Sequence, residues 1–144
     1  MTSNPSNTAK EIFQQQTGHC SQAIFAAYGE HLGLGKVDFD TCMRISSAFS
    51  GGIALTGNVC GALTGALMSL GLKFGDDVNQ VNVHAVKLLD EFKSLHGSIV
   101  CRELIDHDLT TDEQIKQAFA TGAFDNCPKY IEDVTKLMDA AVKE

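Results

Sequence analysis

The chain has 144 residues, 44% of them apolar and 20% charged, with a formal net charge of −7 at pH 7. That length fits one domain burying roughly 70% of its unfolded surface, and the balance excludes a disordered or collagen-like polymer. The negative charge, the absence of Trp and the lack of a basic cluster interleaved with aromatics argue against nucleic acid as a partner, because its phosphates would be repelled.

Residues 1–7 are polar, contain Pro5 and read as a flexible N-terminal tail, leaving a single domain over 8–144. No basic start followed by an apolar core marks a secretory signal, so the cytoplasm is the expected compartment. Thr8 with Glu11 is a capping-box start for a helix through Ile12 and Phe13 to Gln16, which Thr17 and Gly18 interrupt. The helical pattern resumes through His19, Cys20, Ile24 and Phe25 and ends near Gly29. Gly29, Gly33 and Gly35 around His31 read as a glycine-rich turn between helices, not as a strand-to-helix phosphate loop. Asp38 or Asp40 opens the next helix, which carries Phe39, Cys42, Met43, Ile45 and Phe49 until Gly51-Gly52 stops it.

From Gly51 to Leu72 there is no charge at all. A membrane span needs about 20 apolar residues. Gly57-Asn58 would interrupt one, so the uninterrupted helix is Val59 to Leu72 and a span is not expected. A buried central helix fits better. Its Gly61, Gly65 and Ser69 face admits a close neighbour, and Leu63, Leu67 and Leu70 fill the other side. Asp76-Asp77 then starts an amphipathic helix of Val78, Val81, Ala85, Leu88, Phe92 and Leu95, closed by Gly97. Thr110 with Glu113 starts a short helix bearing Ile115, Ala118 and Phe119, with Gly122 beyond its end. The last helix follows Cys127-Pro128 with Tyr130, Ile131, Val134, Leu137, Met138 and Ala141 on one stripe. No strand-like alternation appears, so the chain is predicted all-α, a bundle of about five to seven helices around the Gly-rich one.

Five cysteines in a reducing compartment point to metal, redox or catalytic roles, or simply to burial. Cys60 falls in the first turn of its helix, Cys127 precedes Pro128 as a candidate cap, Cys20 follows the Gly18 break and Cys101 opens CRELI. Four thiols thus sit at predicted helix starts, where unpaired amides and the macrodipole favour thiolate. Cys42 lies in an apolar helical pattern and reads as core. No C-x-x-C pair is present, so any site must be assembled by tertiary structure.

Cys60-Gly61-Ala62-Leu63-Thr64-Gly65 reads CGAxxG. With Cys20 before it and Cys101 and Cys127 after it, the chain resembles the C_GCAxxG_C_C family of redox-active proteins from about Gly18 to Cys127. Val59 stands where the family name writes Gly. The resemblance implies that Cys20, Cys60, Cys101 and Cys127 are the family's four cysteines, that Cys42 lies outside the pattern, and that the chemistry is redox. It names no substrate.

Among other constellations, His19 adjoins Cys20 but points elsewhere on a helix. His84 reads as a satisfied boundary residue, and His96 with Lys93 suits a helix C-terminus. Asp106, His107 and Asp108 read as a solvated loop, Glu103 and Asp106 as a solvated face, and Glu132 with Lys136 as a surface pair. The four cysteines are therefore expected to converge, as catalytic, cofactor-binding or metal-ligating groups. They would act as two thiol–disulfide pairs or hold an iron–sulfur cluster. The competing readings are a structural zinc site and a helical interaction module in which the cysteines only pack. An electron-transfer or thiol partner protein is implied by the first, and the glycine ladder suits self-association.

Overall fold

The computed structural model describes residues 4–32 and 37–143. Residues 1–3 of the expected tail, Gly33 and Gly35 of the expected turn, and Glu144 lie outside this range. Among these residues eight α-helices follow one another: α1 (Pro5–Gln14), α2 (Cys20–Leu32), α3 (Phe39–Ile45), α4 (Gly61–Phe74), α5 (Val78–His96), α6 (Cys101–Leu104), α7 (Asp112–Thr121) and α8 (Cys127–Val142). A 3-10 turn, Ser47–Phe49, follows α3. Among the described residues there is no strand, only an antiparallel bridge between Val59 and Val100. The fold is all-α, as the apolar periodicities predict.

Two helix starts differ from expectation. α1 begins at Pro5, not Thr8, because the Asn4 side chain accepts the Ser6 amide at 2.9 Å and proline suits the first helical position. Residues 5–7 are therefore helical. In α7 the capping box is Thr111 with Gln114, one residue later than Thr110 with Glu113. Gly97 and Gly122 end their helices with φ of 84° and 74°, as left-handed caps do.

α4 lies in the middle, packed against α2, α5 and α8, while α2 also touches α1 and α3. Leu63 and Leu70 are fully buried in the main core with Ile24, Tyr28, Phe92, Val134 and Met138. The glycine face of α4 meets α2 backbone to backbone. A methyl group on Gly65 would come within 2.6 Å of the Ser21 carbonyl oxygen, and one on Gly61 would overlap Cys20 Sγ. Buried Ser69 donates to the Gly65 carbonyl at 2.9 Å, so its hydroxyl is satisfied within the same face. A second core around Cys42 joins α2 and α3, and a third joins Cys101, Leu109 and Ala118 beneath α6 and α7.

On α5 only Leu88 and Phe92 of the predicted stripe are fully buried; Val78 and Leu95, at its two ends, are 67% and 60% exposed. Among the described residues, no helix is long and apolar enough to cross a membrane.

Candidate functional site

Each of the four cysteines begins a helix. Cys20, Cys101 and Cys127 are the first residues of α2, α6 and α8, and Cys60 is the N-cap of α4. Helix starts leave amides unpaired, and here those amides face sulfur. The Cys20 sulfur lies within reach of the Gly51 and Ser21 amides and the Ser50 hydroxyl, and the Cys60 sulfur within reach of the Ala62 and Leu63 amides.

The helix starts are drawn together by backbone contacts between distant segments. The Cys60 amide donates to the Ile99 carbonyl at 2.9 Å and the Cys101 amide to the Asn58 carbonyl at 2.6 Å, on either side of the Val59–Val100 bridge. Gly61 brings Cys20 against the start of α4. Tyr130 ties α8 to α6 through a 2.8 Å hydrogen bond from its hydroxyl to the Leu104 carbonyl.

All four cysteines line one cavity of about 400 Å³. Cys60 and Cys101 are buried at its floor, with 7% and 6% exposure, while Cys20 and Cys127 are partly exposed. Cys20 is the electrostatic hub: were it ionised, its charge would raise each of Cys60, Cys101 and Cys127 more than any other charge does.

Burial corrects the thiolate expectation. It pushes all four thiols up, Cys101 to about 11 and Cys127 to about 12, and outweighs the amides that favour ionisation at Cys20 and Cys60. At neutral pH the site holds neutral thiols. The helix starts lie within a residue or two of the expected places, Cys60 being the N-cap of α4 and not in its first turn, and Cys127 the first residue of α8 and not its cap. The apolar wall supplied by Leu55, Leu104, Phe124 and Ile131 nonetheless dominates the energetics.

A feature with no sequence signal sits over the sulfurs. Gly51, Gly52, Ile53, Ala54 and Leu55 all have positive φ, from 52° to 71°, forming one left-handed turn. Gly51, Ala54 and Leu55 line the cavity, and the Cβ of Cys101 fits against Gly52 so closely that a methyl there would lie 2.6 Å from it. Three consecutive non-glycine residues in this region are costly. They are held by amide-to-carbonyl hydrogen bonds such as Ala54 to Ala48 at 2.7 Å and Asn58 to Gly52 at 2.8 Å.

Cys42 is fully buried against Gly29, away from the cavity, as core. His19 reaches the rim, while its amide donates to the Gln22 side chain at 3.0 Å. His84 stacks on Phe74, with centroids 3.9 Å apart. His96 lies 2.8 Å from Asp133 across α5 and α8, a part-buried pair that the sequence reading missed because neither neighbour is local. Glu132 and Lys136 do pair, at 3.5 Å. His107 turns Nδ1 to the Asp108 carbonyl at 2.7 Å.

Among the described residues, no three or more His, Cys, Asp or Glu side chains are placed so that they could hold a metal ion. The four thiols share a cavity without forming a ligand set.

No curated protein and no solved structure matches the chain. Residues 18–141 do match a protein family, described as "Putative redox-active protein (C_GCAxxG_C_C)". That match runs from the residues before Cys20 past Cys127, and the chain belongs to this family.

Proposed function

We propose that the protein carries two electrons at a time by interconverting a Cys20–Cys60 dithiol and disulfide, with Cys101 and Cys127 as a second pair in reach of the same hub. The observation that supports this reading is the opening of four helix starts onto one cavity with a cysteine at each, and the seating of Cys20 Sγ against Gly61, the residue next to Cys60. Oxidation breaks two S–H bonds and forms one S–S bond, passing two electrons and two protons to the acceptor. Neutral thiols suit this stoichiometry, since both protons are present to leave with the electrons. Cys20, partly exposed, meets the redox partner, and buried Cys60 resolves the disulfide.

The test is an anaerobic thiol count across dithiothreitol redox buffers. The count falls by two in a first step, and Cys60→Ser removes that step. Visible charge-transfer bands with bound iron would overturn the reading in favour of a cluster. Bound zinc whose chelation unfolds the protein would overturn it in favour of a structural site.

A further inference from the structure

The lining of the cysteine cavity limits what can exchange electrons with it. Among the described residues, no Lys, Arg, Asp or Glu lines this cavity. Its walls are Phe13, Leu55, Leu104, Phe119, Phe124 and Tyr130, and its uncharged polar groups include the Ser47 and Ser50 side chains. The mouth opens beside Phe119, which is 62% exposed and also lines the neighbouring depression with Phe13, His19 and Pro128. Phe119 packs on Phe124, ring centroids 5.0 Å apart, so the two rings form one aromatic wall of the cavity.

A charged electron carrier, such as a glutathione-type tripeptide or a nicotinamide nucleotide, would shed its hydration here with, among the described residues, no Lys, Arg, Asp or Glu and only the His19 imidazole to replace it. An uncharged one would not. The volume of about 400 Å³ falls in the range of small-molecule sites. An aromatic wall favours stacking of a flat ring system. A dithiol in the cavity requires an acceptor of two electrons and two protons.

We infer that the cavity binds a quinone, an uncharged flat ring that meets all three requirements, as the small-molecule redox partner of the cysteines. This rests on the dithiol reading above. In the step, the S–H bonds of Cys20 and Cys60 break, their sulfurs join, and the two electrons and two protons convert both quinone C=O groups to C–OH. The reverse reaction reduces the disulfide with quinol.

The experiment mixes the fully reduced protein, without oxygen, with tetramethyl-1,4-benzoquinone, whose ring carbons are all substituted and resist addition of thiols. Expected are one quinone reduced for every two thiols lost and a rate at least about tenfold above that of a sulfonated anthraquinone of negative charge, reflecting the cost of desolvating that charge. Phe119→Ala slows the uncharged quinone about fivefold through lost apolar contact. Equal rates with the charged and uncharged quinones, or reaction with an apolar aryl disulfide in place of the quinone, would overturn the inference. The dithiothreitol titration separates the two failures. A protein that titrates in pairs but leaves the quinone untouched refutes the quinone alone, and one that never titrates in pairs refutes the dithiol reading with it.

Discussion

Gly61 and Gly71 stand on the same helix and have the same local chemistry, yet their environments call for opposite responses to a methyl group. A Cβ at Gly61 would overlap Cys20 Sγ and lie 3.1 Å from the Phe49 carbonyl oxygen, whereas a Cβ at Gly71 meets nothing within 4 Å. Gly61→Ala should therefore destabilise the reduced protein by about 2 kcal/mol through overpacking. Gly71→Ala should stabilise it by about 1 kcal/mol, the ordinary difference in helix propensity. Urea unfolding of both variants under reducing conditions checks this. Equal effects of the same sign would show that Gly61 is not what seats Cys20 against α4. The small face of α4 was legible in the sequence as a place of close approach. What approaches it, a sulfur atom and the start of α2, was not, because no local pattern encodes a neighbour from another segment.

At the scale of elements, helix starts were readable to within a few residues wherever a side-chain cap or a Pro marks them, as at Asp38, Asp77 and Pro128. The turn over the cavity was not readable. Gly51-Gly52 looked like a simple helix stop, and Ile53, Ala54 and Leu55 have no preference for the left-handed region. Hydrogen bonds to Phe49, Ala48 and Ser50 impose it, and Leu55 then reaches the cysteine cavity. This arrangement stores backbone strain beside the sulfurs. Ala54, at φ 52°, tests the point. Ala54→Gly should raise stability by about 1 kcal/mol by relieving the Cβ clash, where glycine at an ordinary position would lower it by a similar amount. A lowered urea midpoint would mean that the turn is not strained at Ala54.

At the scale of the whole molecule, four cysteines scattered from position 20 to position 127 line one cavity because α2, α4, α6 and α8 all begin at it. The family resemblance made the set legible, but the charge state of the thiols was not. Helix starts alone would lower the thiol pKa, whereas the apolar walls that raise it come from segments far apart in the chain. The consequence is a pH dependence of stability whose sign follows from the direction of the shift. A thiol raised from 9.0 to about 11 at Cys101, and to about 12 at Cys127, stays protonated in the folded chain after it has ionised in the unfolded one. The unfolded state then binds fewer protons, so the stabilisation is complete below pH 9.0 and is lost as pH rises toward about 11 and 12. Cys127 is partly exposed and Cys101 lines the same open cavity, which reduces the slope below the full value of about 1.4 kcal/mol per pH unit for each thiol. Unfolding free energies of the reduced protein at about pH 8 and about pH 10.5 should therefore differ by roughly 1 to 2 kcal/mol. Lysines and tyrosines titrate in the same window, so the comparison is with a variant carrying Cys101→Ser and Cys127→Ser, in which this part of the loss disappears. Oxidation provides an independent check on the same protein. A disulfide has no proton to release, so if the four cysteines pair, the oxidised chain lacks the thiol contribution to the loss. A reduced protein whose alkaline loss matches that of the serine variant would show that these thiols ionise as freely folded as unfolded, and that the cavity does not shield them from water.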